Sequence, residues 1–409
     1  MAMNLFTLDS GLKVAINSAP QFETVGVSVG VNCGSMDENP KLNGSAHYLE
    51  HMLFKGTKRR TWKQIAEEVR NLGMTQSAFT GKENTIYYIQ AYKGYFGNAV
   101  DLLSDMLTNS VFPEKEFLLE RGPVINENMK RNDNSQWFFY DFLPMALYDK
   151  YPAKRSVSGD ASVINKIQLK DILKLYKNYY NPGNMVVSVY GGINMEKSLD
   201  AIENAFSDFS RKSSVPKRYP CREKQELREI VIGKKGIKQA RIGIGFKTKG
   251  FSDASMPEYL SLLALSEVAT RRIFDSVREE RGLSYDPFAY YNSNKMFGFI
   301  AASSGIKPKD QDTAKDIILK EFEKLHDGEI GKDELKSRIN GLSIRYRTYK
   351  ESTLGMSVSI ASNYLTYGNP FLMDKLPDMI KKVTLDDVKK YAAQYIDVDK
   401  YGLVMLKPE

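Results

Sequence analysis

A chain of 409 residues is longer than one hydrophobic core usually supports, so two domains are expected. Its 42% apolar and 26% charged residues are those of an ordinary globular protein, and no apolar run nears the roughly 18 residues of a membrane-spanning helix. The net charge is +8, but 58 basic residues are mixed with 50 acidic ones and no base-stacking or groove-reading motif accompanies them. Nucleic-acid binding is therefore set aside, and the Lys58-Arg59-Arg60 cluster reads as a solvated surface.

The N-terminus runs directly into alternating strand patterns at 4–18 and 23–33, with neither a signal peptide nor an Arg-rich transit peptide. Cys33 and Cys221 are too few for a disulfide framework, and both features point to a cytoplasmic setting. An amphipathic helix follows at 44–55, carrying His47, Glu50 and His51. Positions four apart lie on one helix face, so the two imidazoles can reach one metal ion. H-x-x-E-H is the inverted order of the H-E-x-x-H metalloprotease helix. Zinc takes neutral imidazole nitrogens and keeps an open position for water, and a carboxylate beside that water can take its proton. The chain holds three histidines, and two of them sit in this motif. The third, His326, lies near a helix end in a capping or solvated context. A catalytic zinc normally has three protein ligands, so a third must come from elsewhere.

Further along, Thr61 caps a helix at 62–72, and two β-rich runs flank Gly81-Lys82 as a hairpin. Helical patterns at 94–109 and 114–130 come next, the second holding Glu120 and Glu127 seven apart, with Pro123 between them to weaken or bend it. The aromatic-rich stretch 137–151 reads as core or cavity wall. A helix at 164–180 precedes a buried strand at 185–190. The Pro-, Ser- and Lys/Arg-rich segment 211–220 is the linker, dividing the chain into domains at 1–210 and 221–409. Beyond it the chain repeats itself. Ile164, Ile167, Leu169, Asp171, Ile172 and Tyr179 return 216 residues later as Ile380, Val383, Leu385, Asp387, Val388 and Tyr395. A shift of 218 places Glu120 on Arg338 and Glu127 on Arg345, and the second copy has no histidine pair, so one domain of the two is expected to hold metal. Strands and helices mix without strict alternation, which indicates an α+β fold.

Residues 47–57, His-Tyr-Leu-Glu-His-Met-Leu-Phe-Lys-Gly-Thr, closely resemble the pitrilysin or M16 family of zinc endopeptidases. The resemblance implies two homologous domains, each a mainly antiparallel sheet packed with helices, of the LuxS/MPP-like metallohydrolase type. It places a glutamate ligand 76 positions after the second histidine, which is Glu127, with Glu120 beside it to orient a ligand or position the water. One Zn2+ per chain is implied. In the family an Asn-Ala-x-Thr strand edge binds the peptide by strand addition; here it is Ser77, Ala78, Phe79 and Thr80, with Ser in place of Asn. Residues 271–285 resemble the family's Arg/Tyr segment, which implies that Arg278 and Tyr285 stabilise the oxyanion. Because the family's chamber takes four such domains, a homodimer is implied, or a heterodimer with a related subunit, the Arg/Tyr pair coming from the other protomer.

These features point to a zinc endopeptidase hydrolysing unfolded, short or presequence-like peptides, with Glu50 as general base. The competing reading is a non-catalytic structural or assembly subunit of the same family, and the intact motif argues against it.

Overall fold

The computed structural model describes residues 3–133, 135–211 and 214–409, without the side chains of 131–133 and 135–140. In chain order the first half forms β1 (Met3–Thr7), β2 (Lys13–Ser18), β3 (Thr24–Val31), α1 (Ser45–Met52), α2 (Trp62–Asn71), β4 (Thr75–Thr80), β5 (Thr85–Tyr92), α3 (Phe96–Asn109), α4 (Glu114–Asp133), α5 (Ser135–Leu147), α6 (Leu169–Tyr179), β6 (Met185–Gly191) and α7 (Met195–Ala205). The second half forms β7 (Arg228–Lys234), β8 (Ala240–Lys249), α8 (Met256–Phe274), β9 (Phe288–Ser293), β10 (Phe297–Ile306), α9 (Gln311–His326), α10 (Lys332–Thr348), α11 (Thr353–Tyr367), α12 (Leu385–Tyr395) and β11 (Gly402–Pro408).

The first sheet is ordered β1-β2-β6-β3-β5-β4 and the second β7-β11-β8-β10-β9. Leaving β1 aside, the two match strand for strand: the first pair is parallel and every other pair antiparallel. The helices repeat as well. α6 and α12 begin and end 216 residues apart, and α4 and α10 begin 218 apart. This is a two-domain α+β fold of mainly antiparallel sheets.

Two compact units result, and each takes a helix from the other half of the sequence. Residues up to 128, 156–217 and 348–374 make the first; 129–155, 218–347 and 375–409 make the second. α11 therefore lies on β3 and β6 of the first sheet, and α5 on β8 and β11 of the second. The β3 sequence Thr-Val-Gly-Val-Ser-Val-Gly-Val explains how α11 fits. Side chains alternate across a strand, so the valines enter the core beneath α1, α3, α6 and α7 while Gly26, Ser28 and Gly30 face the other way. On that small-residue face a Cβ at Gly26 would sit 2.4 Å from the Thr353 carbonyl, and the Ser28 and Ser357 hydroxyls bond at 2.8 Å.

The helix expected at 164–180 is in fact two. Asp160 caps a short turn at Ala161–Ile164, and a capping box of Gln168 and Asp171 starts α6 afresh at Leu169. Of the aromatic stretch, residues 137–140 lie outside the described side chains. Tyr148 is buried in the second unit, edge-on to Phe297 with ring centroids 5.6 Å apart.

Candidate metal centre

α1 starts where the backbone turns left-handed at Gly44 (φ 98°), a position where a Cβ would also lie 2.9 Å from the Ser158 carbonyl oxygen. Its first amides find an acceptor in the buried Glu38 carboxylate, which takes bonds from Gly44 N at 2.9 Å and Ala46 N at 2.7 Å. A negative group at this end also suits the helix dipole. One turn apart on α1, His47 and His51 bring their Nε2 atoms to 3.3 Å, and His47 is only 1% exposed.

The third donor is Glu127. Its carboxylate lies 3.6 Å from His47 Nε2 and 3.2 Å from His51 Nε2. Zinc at about 2.0–2.1 Å from tetrahedral ligands requires them to stand about 3.3–3.4 Å apart, and the three side chains come close to that spacing, Glu127 meeting His47 through Oε1 and His51 through Oε2. Among the described residues no other cluster of His, Cys, Asp and Glu converges in this way.

Glu127 is held by α4, which runs unbroken from Glu114 to Asp133 through Pro123. Tyr48 of α1 ties the helices together, donating to the Phe117 carbonyl and stacking on the Phe117 ring at 4.7 Å. Next to the ligand, Asn128 donates to the carbonyls of Ser158 and Gly159, and that turn is wedged against Asn43 at the start of α1. Glu120, one long step earlier on the same face, lies 3.0 Å from His51 Nδ1 and takes Lys55 Nζ on its other oxygen. With Nδ1–H donating there, Nε2 is left for a metal. Burial opposes charge on His51, yet its bonds to Glu120 and Glu127 and the field of Glu50 raise its pKa to about 9 in the metal-free protein. Burial likewise works against the Glu120 carboxylate, and bonds to His51 and Lys55 hold it below the usual range.

Glu50 is buried between the helix and the sheet, where its Oε2 accepts from the Thr80 hydroxyl at 2.5 Å. β4 is the outermost strand of its sheet, paired on one side with β5. Along it Ser77 and Ala78 are half-buried, Phe79 is exposed and Thr80 is buried. Arg278 and Tyr285 belong to the second unit and hold each other: the guanidinium lies 4.4 Å from the ring centroid, and its NH1 donates to the Tyr285 carbonyl at 3.1 Å. The Tyr285 side chain stays open to solvent.

Two model matches decide the family. The model described as Insulinase (Peptidase family M16) matches residues 13–161, and the Peptidase M16 inactive domain matches 166–342. The chain belongs to peptidase family M16. It is 26% identical to the uncharacterized zinc protease YmxG of Bacillus subtilis, covering 98% of each chain. It is 33% identical to the human mitochondrial-processing peptidase subunit beta across 53% of this chain and 44% of that one. In fold it is similar to a protease from Helicobacter pylori, with a TM-score of 0.90, 23% identity and complete coverage of both chains. A chain of Complex III2 from Candida albicans shares the fold at a TM-score of 0.82 and 17% identity, covering 100% of this chain and 96% of that one.

In this M16 chain the second unit answers the metal centre with an ion pair. Arg345, on α10 where Glu127 stands on α4, forks onto Glu267 of α8 at 2.6 and 2.9 Å. In the basic cluster after α1, Lys58 and Arg59 are exposed as expected, while Arg59 and Arg60 also both bond buried Asp105 at 2.9 Å and fasten the loop to α3. His326 bonds the Ile396 carbonyl at 2.6 Å, a structural contact. Glu38, Lys55 and Asn128 support the site without having been singled out from sequence. Lys55 alone left a local signal, standing four residues after His51.

Proposed function

We propose that this chain is a zinc-dependent endopeptidase whose metal is held by His47, His51 and Glu127, one ion per chain. The observation that carries the reading is the convergence of the two Nε2 atoms and the Glu127 carboxylate within 3.2–3.6 Å of one another, with Glu50 one residue before His51. Bound there, zinc supplies Lewis acidity enough to bring the ionisation of water down to about pH 7. Glu50 takes the proton from the attacking water and passes it to the leaving amine. Glu120 fixes the His51 ring through Nδ1. The peptide adds as a strand along the free edge of β4, main chain to main chain at Ser77, Ala78 and Phe79, which suits unfolded or short substrates.

Arg278 and Tyr285, already paired and with the tyrosine open to solvent, are assigned to the carbonyl oxygen of a substrate. In a homodimer they would serve the partner's zinc. Free Cys33 and Cys221 fit a reducing compartment such as the cytoplasm, and no described helix is long and apolar enough to cross a membrane. The decisive experiment is Glu50→Gln assayed on a fluorogenic peptide alongside zinc analysis and chelation. We expect cleavage to vanish with zinc still bound, and chelation to stop the native protein; turnover surviving in the variant overturns the assignment of the base.

A further inference from the structure

Strand alternation puts Thr80 and Ala78 on one face of β4 and Ser77 and Phe79 on the other. Thr80 closes the strand and is 7% exposed, so its side chain has little surface to offer a peptide. Its hydroxyl instead donates to Glu50 Oε2 at 2.5 Å. The neighbouring hydroxyl, Thr85 Oγ1, donates to the Cys33 carbonyl at 2.9 Å and lies 3.5 Å from Thr80 Oγ1, so it does not compete for the carboxylate. The Thr80 hydroxyl thus donates to one of the two Glu50 oxygens.

We infer that Thr80 is the positioning residue of Glu50: its hydroxyl clamps Oε2 so that Oε1 faces the proton to be moved. The inference rests on the endopeptidase reading and goes beyond it, since that reading gives the Thr80 side chain no role. A carboxylate on a single free χ3 would sweep its basic oxygen through a wide arc. A hydroxyl rooted in a β-strand whose turn is tied back to the segment before α1 removes that freedom, with Ser35 N on the Gly81 carbonyl at 3.1 Å and Met36 N on that of Lys82 at 2.9 Å.

The test compares Thr80→Val, which keeps the branched shape, with Thr80→Ser, which keeps the hydroxyl, on purified zinc-loaded protein and a fluorogenic peptide. Thr80→Val should lower kcat about 10- to 100-fold, the range for losing one charge-assisted hydrogen bond, with KM and zinc content unchanged. Thr80→Ser should restore kcat to within about threefold of the native value. A crystal structure of Thr80→Val should show the Glu50 carboxylate rotated or split between rotamers; this readout needs no activity and holds if the valine variant is too unstable for kinetics. A rise in KM at constant kcat, or a Glu50 side chain unmoved in the variant, overturns the proposal. Turnover retained by Glu50→Gln would instead defeat the endopeptidase mechanism itself, so the two failures are distinct.

Discussion

Glu120 joins His51, a proposed zinc ligand, to the Lys55 cation, so removing it should register in metal affinity. Its carboxylate takes His51 Nδ1 at 3.0 Å on Oε1 and Lys55 Nζ on Oε2, and only 8% of the residue is exposed. Glu120→Gln keeps the shape and one acceptor for Nδ1–H but removes the charge and strands Lys55. A hydrogen bond to a charged group is worth about 1.5–3 kcal/mol, and outer partners of metal ligands typically change affinity by about 10–100-fold, or about 1.4–2.7 kcal/mol. The glutamine variant should fall near the lower end. Glu120→Ala, which also frees the imidazole to turn, should fall near the upper. Both are measured by chelator competition for zinc at one fixed pH, with melting of the metal-free protein as the control for folding. If Glu120→Ala binds zinc as tightly as the native chain while Glu127→Ala does not, the carboxylate does not orient His51 and the argument fails.

Gly26→Ala places a methyl 2.4 Å from the Thr353 carbonyl oxygen and 2.6 Å from Ser357 Oγ, so it should cost about 2–3 kcal/mol by urea unfolding. Gly341→Ala, in the interior of α10 with no heavy atom within 4 Å of the new methyl, should instead gain up to about 1 kcal/mol. Equal effects at the two sites would mean that α11 does not press on β3. Buried Asp105 accepts from Thr57, Arg59, Arg60 and Asn109, and although burial opposes its charge these bonds hold its pKa below the ordinary value. Its stabilisation is therefore full above the unfolded-state pKa of about 3.9 and is lost as pH falls through the lower folded value. Asp105→Asn should cost roughly 2–4 kcal/mol at pH 7, and the gap to the native chain should narrow only below about pH 4; a gap that closes by pH 5.5 refutes it.

The two histidines were legible because helical periodicity is local: four residues make one turn, whatever the rest of the chain does. Glu127 was legible only through the family's spacing, since the 75 residues between it and His51 contain two strands and most of three helices that bring it back. No local pattern encodes that return. The same limit hid Glu38, whose carboxylate reaches across a loop to cap α1, and Asn128, whose partners lie 30 and 31 residues away. Pro123 lies inside α4, which continues as one helix from Glu114 to Asp133, its first half fixed to α1 through Phe117 and Tyr48. The duplication could be read to the residue from helix starts. The helix trade could not, because an amphipathic face declares that it will be covered and not which sheet will cover it.

That trade constrains how the chain can be shortened or diverged. A product ending at the linker would carry every zinc donor and still leave the Gly- and Ser-lined back of its sheet without α11, whose Ile360 and Ala361 roof that face. The second half thus holds no histidine pair yet supplies a helix that the first sheet packs against. It contributes α11 to the compact unit that holds His47, His51 and Glu127, so that unit is not encoded by the first half of the sequence alone.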